Sequence, residues 1–284
     1  MAEPKIPNKK SSFRPDFATI GGLILALGGI IAGLIMEGGK IQDIAQITSA
    51  LIVLGGTMGA VMITTPLPIL IRAAKQVSSV IFGKVQETND IIEEIIGYAT
   101  RARKNGIVSL EQDAESIRDE FLKKALGLAV DGIETNKIRD IMELEIEVFE
   151  QKSEAEAKVF ESAGGYAPTI GIIGAVLGLI QVMKNLADID EVGRGIAVAF
   201  VATIYGVAAA NIIFLPVANK LKARAKEAVQ LREMMLQGVL SIAEGLNQKL
   251  IRMQLEAYAQ KNPVRAKAEE ANGGARTAPA PVES

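Results

Sequence analysis

Apolar residues are grouped along the chain in four long runs, and polar and charged residues fill the stretches between them. The runs cover residues 17–36, 44–63, 166–183 and 195–217, and none of them contains Asp, Glu, Lys, Arg or His. A helix needs about 20 apolar residues to cross a bilayer, so each run has the length of a span. The pattern predicts four transmembrane helices, and the last two runs, Tyr166 to Val217, form an antiparallel hairpin.

The polar stretch between the second and third runs has helical periodicity. Thr88 to Lys104 carries an apolar stripe, and Asn105-Gly106 supplies the left-handed residue that a helix end favours. Ser109 to Gln112 has the form of a capping box, which predicts the start of a second helix, and Thr135 is predicted to cap a third. The side chains predicted to face inward on these two helices are Ile117, Phe121, Ala125, Leu128, Ile138, Ile141, Leu144 and Val148.

The predicted fold class is all-α: a polytopic membrane protein with four transmembrane helices and a helical cytoplasmic domain between spans two and three. A charged helix is predicted from Lys220 to about Gln260, and the low-complexity sequence after it cannot bury a core. The predicted divisions are an N-terminal segment (1–16), spans one and two (17–66), the helical domain (67–165), spans three and four (166–217), a C-terminal helix (218–260) and a disordered tail (261–284).

The charges that flank the spans predict the orientation. Lys and Arg lie near the spans in the first segment, in the stretch from Arg72 to Glu161 and after Lys220, whereas the two short connections carry few. Because basic flanks stay cytoplasmic, we expect both termini on the cytoplasmic side of the membrane.

Composition excludes several kinds of site. The chain has no Cys and no His, so disulfides, Cys/His zinc sites and His-dependent nucleophilic triads are impossible. Lys plus Arg number 31 and Asp plus Glu 33, a balance that argues against nucleic acid as a partner. We expect no enzyme activity, no metal and no cofactor.

The hairpin contains features with both a structural and a functional interpretation. Gly174 and Gly178 let helices approach closely, which ordinary membrane packing also requires, and Thr203 can bond its own helix. Pro168 and Pro216 are harder to explain by packing alone, because each leaves a backbone carbonyl without its helical donor. Both prolines fall on one side of the membrane.

The spans lack the group that ion relays normally use. Proton and ion paths through membranes nearly always include a buried ionisable side chain, and these four runs have none. If the protein conducts ions, a partner must supply the carboxylate; if it does not, the spans are an anchor.

Three sequence motifs resemble the MotA/PomA family, the larger stator subunit of the bacterial flagellar motor. They are AFVATIYGVAAANIIFLP from Ala199 to Pro216, APTIGIIGAVLGLI in span three and ARKNGIVSLE from Ala102 to Glu111. The resemblance extends to about Gln260, although Ala208 stands where a larger apolar residue is usual. The related TolQ and ExbB proteins share only the last two spans.

The resemblance implies an ion-driven motor subunit. Chains of this family form a ring, expected to be a homopentamer, around a MotB-like single-span partner that carries the ion-binding Asp, and the ring pushes the rotor switch protein FliG. The residues implied for the ion pathway and its coupling are Pro168, Thr169, Ala175, Thr203, Tyr205 and Pro216. Those implied for the rotor are Arg103, Lys104 and Glu111, and membrane lipid is the remaining partner. The resemblance also implies a location in the bacterial cytoplasmic (inner) membrane.

Two of these implications have alternatives. Arg103 and Lys104 near a helix C-terminus, and Glu111 in a first turn, also suit the helix dipole, and Gln112 stands where relatives continue with acidic residues. Sodium stators of the family have Thr at the position of Ala175, so the resemblance implies proton coupling. Other functions consistent with the sequence are a TolQ/ExbB-like energiser of another envelope process and a non-conducting membrane scaffold.

Overall fold

The structure, a computed structural model, describes residues 13–84 and 88–260. Four helices in this part of the chain are long and apolar enough to cross a membrane, which confirms the predicted spans. Contacts divide the described residues into a membrane unit, residues 13–84 and 151–225, and a polar unit, residues 88–150 and 226–260. The predicted tail, 261–284, lies outside the described residues, as do residues 1–12 of the N-terminal segment.

The membrane unit begins with a strand and a span. Strand β1 (Phe13–Pro15) precedes helix α1 (Phe17–Met36), whose N-cap Asp16 accepts a hydrogen bond from the backbone of Thr19. A short helix α2 (Ile41–Ile44) leads into α3 (Ile47–Thr64), the second span. This span begins three residues later than the predicted residue 44, because Ala45 and Gln46 are not helical. Residues Leu51–Gly55 of α3 form a π-helical turn.

Helix α4 (Leu67–Ile81) and strand β2 (Phe82–Lys84) follow the second span. The strand pairs antiparallel with β1, with Phe13 opposite Lys84, and this three-residue ladder is the one sheet among residues 13–84 and 88–260. Asp16 joins the start of α1 to the fourth span, because its carboxylate accepts from Lys220 at 2.6 Å and lies 3.4 Å from Arg224. The hydrogen bond from Lys220 lowers the pKa of Asp16 to about 2.

The polar unit contains four shorter helices: α5 (Thr88–Asn105), α6 (Glu111–Ser116), α7 (Glu120–Val130) and α10 (Gln248–Gln260). Its core includes Ile95, Leu122, Leu126, Ile138, Met142, Leu240, Ile251 and Leu255, each almost fully buried. Arg232 lies over the rings of Phe149 and Phe121, at 3.6 and 5.5 Å, and burial lowers the pKa of its guanidinium.

The helix ends of the polar unit differ from several predictions. Gly106 does adopt a left-handed φ of 83° and ends α5 as expected. Ser109, however, lies in a 3₁₀ turn (Ile107–Leu110) and donates to the Gly106 carbonyl at 2.6 Å, so the predicted capping box is wrong. The chain also breaks after α6, at Ile117, and restarts at the N-cap Asp119, so Ile117 is not on the same helix as Phe121.

The two long helices of the chain pass through span and polar sequence without interruption. Helix α8 (Thr135–Lys184) is 50 residues long, and α9 (Ile189–Ala243) includes the fourth span. Thr135 is the first residue of α8 and not its cap, since Ile138 N–H donates to the carbonyl of Glu134. The predicted charged helix to Gln260 is broken at Gly245, whose φ is 71°, and α10 is separate.

The inward face predicted for α8 is partly wrong. Ile138 is fully buried, but Ile141, Leu144 and Val148 are 41%, 60% and 38% exposed. Met142 and Ile146 fill the core in their place. The predicted residues follow each other at intervals of three and four, but the apolar residues of this helix cover two faces and periodicity does not say which one is inside.

Candidate functional site

The third and fourth spans, in α8 and α9, pack along a seam of glycines. A Cβ atom added to Gly178 would lie 2.7 Å from the carbonyl oxygen of Gly195, and one added to Gly206 would lie 2.5 Å from that of Ala167. These separations are shorter than real Cβ contacts, so only hydrogen fits at either position. The residue pairs run in opposite chain directions, which makes the two spans antiparallel and brings their backbones together along the hairpin.

Pro168 and Pro216 lie at the same end of this seam. Gly164, whose carbonyl would receive the N–H that Pro168 lacks, faces the side chain of Leu215, the residue before Pro216. Helix α8 continues through Pro168. In α9 the residues Ala209–Phe214 form a π-helical turn that ends immediately before Leu215 and Pro216. A π turn changes the local hydrogen-bond register and is a common accommodation of a helix irregularity.

Thr203 lies on a face of α9 that opens into a shallow groove of about 510 Å³ beside Ile30 of α1. Its hydroxyl donates to the carbonyl of Ala199 at 3.1 Å, so the bond expected of an ordinary membrane threonine is present. Val207 and Asn211 continue the same face one and two turns further on, and the groove is otherwise apolar.

Asn211 is a polar residue that sequence analysis did not place in the site. Its side-chain amide donates to the carbonyl of Val207 at 2.9 Å, and the residue is exposed within the π turn. No described residue donates to its carboxamide oxygen, which leaves that oxygen available to a partner. The signal in the sequence is its spacing from Thr203, which puts both residues on one face of a helix.

Ala175 lies near the depth of Thr203 in the hairpin. The neighbours of these two residues touch, since a Cβ on Gly174 would meet the Cβ of Ala202 at 2.7 Å, and Gly171 approaches the Cα of Thr203. Ala175 is partly exposed and provides no side-chain oxygen. Thr169 is exposed and its hydroxyl donates to the carbonyl of Tyr166 at 2.8 Å.

Tyr205 joins the fourth span to the start of the second span through hydrogen bonds. Its hydroxyl donates to the carbonyl of Ile44 at 2.6 Å and accepts from the N–H of Gln46 at 3.3 Å. One turn into α3, the fully buried Ser49 lies within hydrogen-bond distance of the Val198 carbonyl, at 3.3 Å. The phenol therefore satisfies two backbone groups at a helix start, which apolar surroundings make expensive to leave unpaired.

Asp, Glu, Lys, Arg and His are absent from the spans over residues 17–36, 47–64, 166–183 and 195–217, all of which the structure describes. The described part of the chain also has no group of three Asp or Glu residues placed to hold a metal ion. The two spans of the hairpin therefore offer hydroxyl, amide and backbone oxygen atoms along a close-packed seam, and no carboxylate, amine or imidazole side chain.

The charges predicted to face a rotor lie in the polar unit, at the junction of α5 and α6. Arg103, Lys104 and Glu111 are exposed, and the described residues show no ion pair to any of them. The neighbouring Arg101 is different, because it bonds Asp113 at 2.7 Å and lies 5.5 Å from the centre of the Tyr98 ring. Arg101 and Asp113 hold the junction together, and sequence analysis missed both.

Tyr98 completes this junction from the buried side of α5. Its hydroxyl donates to Glu94 at 2.6 Å, and burial, together with the carboxylate of Glu94, raises the pKa of the phenol. The Arg101–Asp113 and Tyr98–Glu94 bonds therefore fix the junction of α5 and α6. The charges of Arg103, Lys104 and Glu111, which pair with no described residue, lie exposed at this junction.

Two family models match the chain. Residues 113–234 match the MotA/TolQ/ExbB proton channel family, and residues 20–105 match the motility protein A N-terminal model. Together they extend from the first span into the C-terminal part of α9.

Similar proteins match over most of their length. Motility protein A of Bacillus subtilis is 38% identical over 86% of this chain and 90% of its own sequence. The solved structure of the Campylobacter jejuni (C. jejuni) MotAB complex matches 86% of this chain and 95% of its own, with a TM-score of 0.81 and 32% identity. The flagellar MotAB stator complex from Bacillus subtilis matches 85% and 95%, with a TM-score of 0.79 and 37% identity.

Proposed function

The chain belongs to the motility protein A family of flagellar stator subunits, within the MotA/TolQ/ExbB proton channel family, and we propose that it carries protons with a MotB-like partner to turn the motor. The observation that carries this proposal is a pair of spans that pack along a seam of glycines and have a face of hydroxyl and amide groups, but no Asp, Glu, Lys, Arg or His within residues 166–183 and 195–217. Such a hairpin is one side of a path, and the partner's membrane Asp supplies the proton carrier.

Thr203 and Asn211 are the groups proposed to face the partner. They share one side of α9, they line the groove beside α1, and Asn211 has an unused carboxamide oxygen. Pro168 and Pro216, at one end of the seam, are proposed to couple proton passage to movement of the helices, since each weakens its helix at a defined turn.

Ala175 favours protons over sodium. A partly dehydrated sodium ion needs several oxygen ligands, and a methyl group offers none. A proton needs a water chain and a carboxylate. The Thr203 hydroxyl keeps its oxygen lone pairs while it donates to Ala199, but it is one ligand, and Asn211 lies two helical turns away, so a sodium site here would be short of ligands.

In the polar unit, Arg103, Lys104 and Glu111 are proposed to contact FliG, because they are exposed and free of ion pairs in the described part of the chain. The exposed stripe of Ile141, Leu144 and Val148 supports assembly into a ring of copies, for which we propose a homopentamer. The basic flanks of the spans support a cytoplasmic membrane location with both termini inside.

Rotation of tethered cells tests this function. A strain without stators receives this chain, the partner, or both, and rotation is measured with sodium or with potassium at equal ionic strength. We expect rotation only with both proteins, equally in the two salts, and abolished by a protonophore or by a partner Asp→Asn change. Rotation that requires sodium contradicts proton coupling, and rotation that survives the Asp→Asn change contradicts the proposed carrier.

A further inference from the structure

Helix α4, which follows the second span directly, has one covered and one uncovered side. Ala73 is fully buried against Val61, Val159 and Ala163, and Val80 is buried against Ala157 and Leu221. Arg224 also donates to the carbonyl of Val80 at 3.2 Å, which fixes the far end of α4 within the membrane unit. The opposite side of the helix is therefore held facing outward.

The uncovered side has an apolar edge next to a basic edge. Leu67 and Ile71, one turn apart, are 61% and 49% exposed. Lys75 lies one further turn along the same line, and Arg72 extends the basic edge around the helix. The chain has no Asp or Glu from residue 44 to residue 86. An apolar strip beside cationic side chains is the arrangement of helices that lie in the headgroup layer of a bilayer.

Two cations of the fourth-span helix in the same unit are neutralised internally, which distinguishes them from Lys75. Lys220 bonds Asp16 and Lys222 bonds Glu161, both at 2.6 Å. By contrast, Lys75 has no ion pair among residues 13–84 and 88–260, and Arg72 reaches Glu156 only at 3.5 Å while remaining about half exposed. Among the residues that the structure describes, no carboxylate pairs with Lys75, and Arg72 keeps about half of its side chain open to a further anion.

We propose that α4 is a docking surface for anionic phospholipid, with Leu67 and Ile71 among the upper acyl chains and Lys75 and Arg72 on the lipid phosphates. The surface continues the exposed apolar end of the second span, where Met62 and Ile63 are 55% and 87% exposed, and this continuity makes lipid the occupant that the geometry favours. The proposal rests on the membrane location of the proposed function and adds the lipid class and the residues that select it. Each basic side chain close to an anionic leaflet contributes about 1 kcal/mol, or roughly a fivefold preference.

Because the chain contains no cysteine, a single Ile71→Cys change places one fluorescent label beside Lys75. The labelled chain, assembled with its partner, is put into phosphatidylcholine vesicles that contain either brominated phosphatidylglycerol or brominated phosphatidylcholine as quencher. We expect stronger quenching by the anionic lipid and a roughly fivefold loss of that preference in Lys75→Gln. Lys75→Arg keeps the charge and retains the preference.

Lys137→Gln is the matched control, since Lys137 is an exposed lysine of the polar unit and its loss should leave the ratio unchanged. Equal quenching by the two lipids, no quenching by either, or a preference that survives Lys75→Gln overturns the proposal. The measurement needs no ion flow, so it is independent of the rotation assay: a chain that fails to turn the motor still reports its lipid preference, and the reverse.

Discussion

At the scale of single residues, Pro168 is the sharpest case for a role beyond packing. Alanine fits the same helical backbone and supplies the N–H that the Gly164 carbonyl lacks, so Pro168→Ala should stiffen this turn of α8. We expect normal assembly with the partner and loss of rotation, measured by co-purification and by tethered cells. Pro68→Ala, on the exposed side of α4, is the control. Normal swimming of Pro168→Ala removes this proline from the mechanism.

Tyr205 gives a second residue-scale prediction, because its hydroxyl bonds two backbone groups near the start of α3. Tyr205→Phe removes both bonds, and hydrogen bonds within membrane bundles are worth about 1–2 kcal/mol. We expect a lower melting temperature of the purified complex with rotation retained. The control is Tyr166→Phe, whose hydroxyl makes no hydrogen bond in the described part of the chain. Unchanged stability with lost rotation would instead place the Tyr205 hydroxyl in the ion path.

Polar side chains in the spans illustrate the limit of sequence analysis at this scale. That Thr203 could bond its own helix follows from residue type alone, because the carbonyl four residues back is always within reach. The Tyr205 hydroxyl bonds backbone groups of Ile44 and Gln46, just before the second span. Which groups it reaches depends on how far the second and fourth spans are shifted along each other. No local pattern contains that offset.

At the scale of elements, the glycine seam makes a prediction that separates packing from coupling. A Cβ on Gly206 would lie 2.5 Å from one backbone oxygen and 3.1 Å from the Cα of Gly171, and neither backbone can move aside cheaply. Gly206→Ala should therefore push the third and fourth spans apart and abolish assembly together with rotation. Gly33→Ala, in α1, meets no atom within 4 Å and should behave as the unchanged chain. Assembly that is normal in Gly206→Ala contradicts the seam.

Elements were predictable where their signal was local and strong. Four uncharged runs of span length predicted the spans, and Asn105-Gly106 predicted the end of α5, because each depends on a property of consecutive residues. The false capping box at Ser109 had the required spacing, but the chain forms a 3₁₀ turn there, with Leu110 fully buried in the core. Burial of that leucine depends on α5 and α7, which a four-residue motif does not represent.

At the scale of the whole molecule, a single chain exposes features that suit an assembly. Ile141, Leu144 and Val148 are apolar but exposed, and they were predicted to face inward because sequence analysis considered one chain and one core. An apolar stripe in a sequence predicts that its side chains are buried. It does not say whether the surface that buries them belongs to the same chain or to another copy. The absence of Asp and Glu from the four spans is a second example, because the proposed proton path needs a carboxylate that would come from another chain.

The charges proposed to face the rotor, Arg103, Lys104 and Glu111, give the prediction that involves a partner of the molecule most directly. Exposed charge pairs are worth about 0–1 kcal/mol each and are screened by salt, so one contact between stator and rotor is weak and several act together. Arg103→Glu should reduce torque and stator recruitment without affecting stability, because Arg103 is exposed and makes no ion pair among the described residues. A compensating charge reversal on FliG should restore part of the torque.

Arg101→Glu should differ by lowering the melting temperature, since Arg101 bonds Asp113 at the base of this surface. Lys137→Glu, an equal change of charge elsewhere in the polar unit, controls for net charge. If Arg103→Glu and Glu111→Lys both turn the motor normally, these charges serve only the helix ends, where their signs already suit the helix dipole.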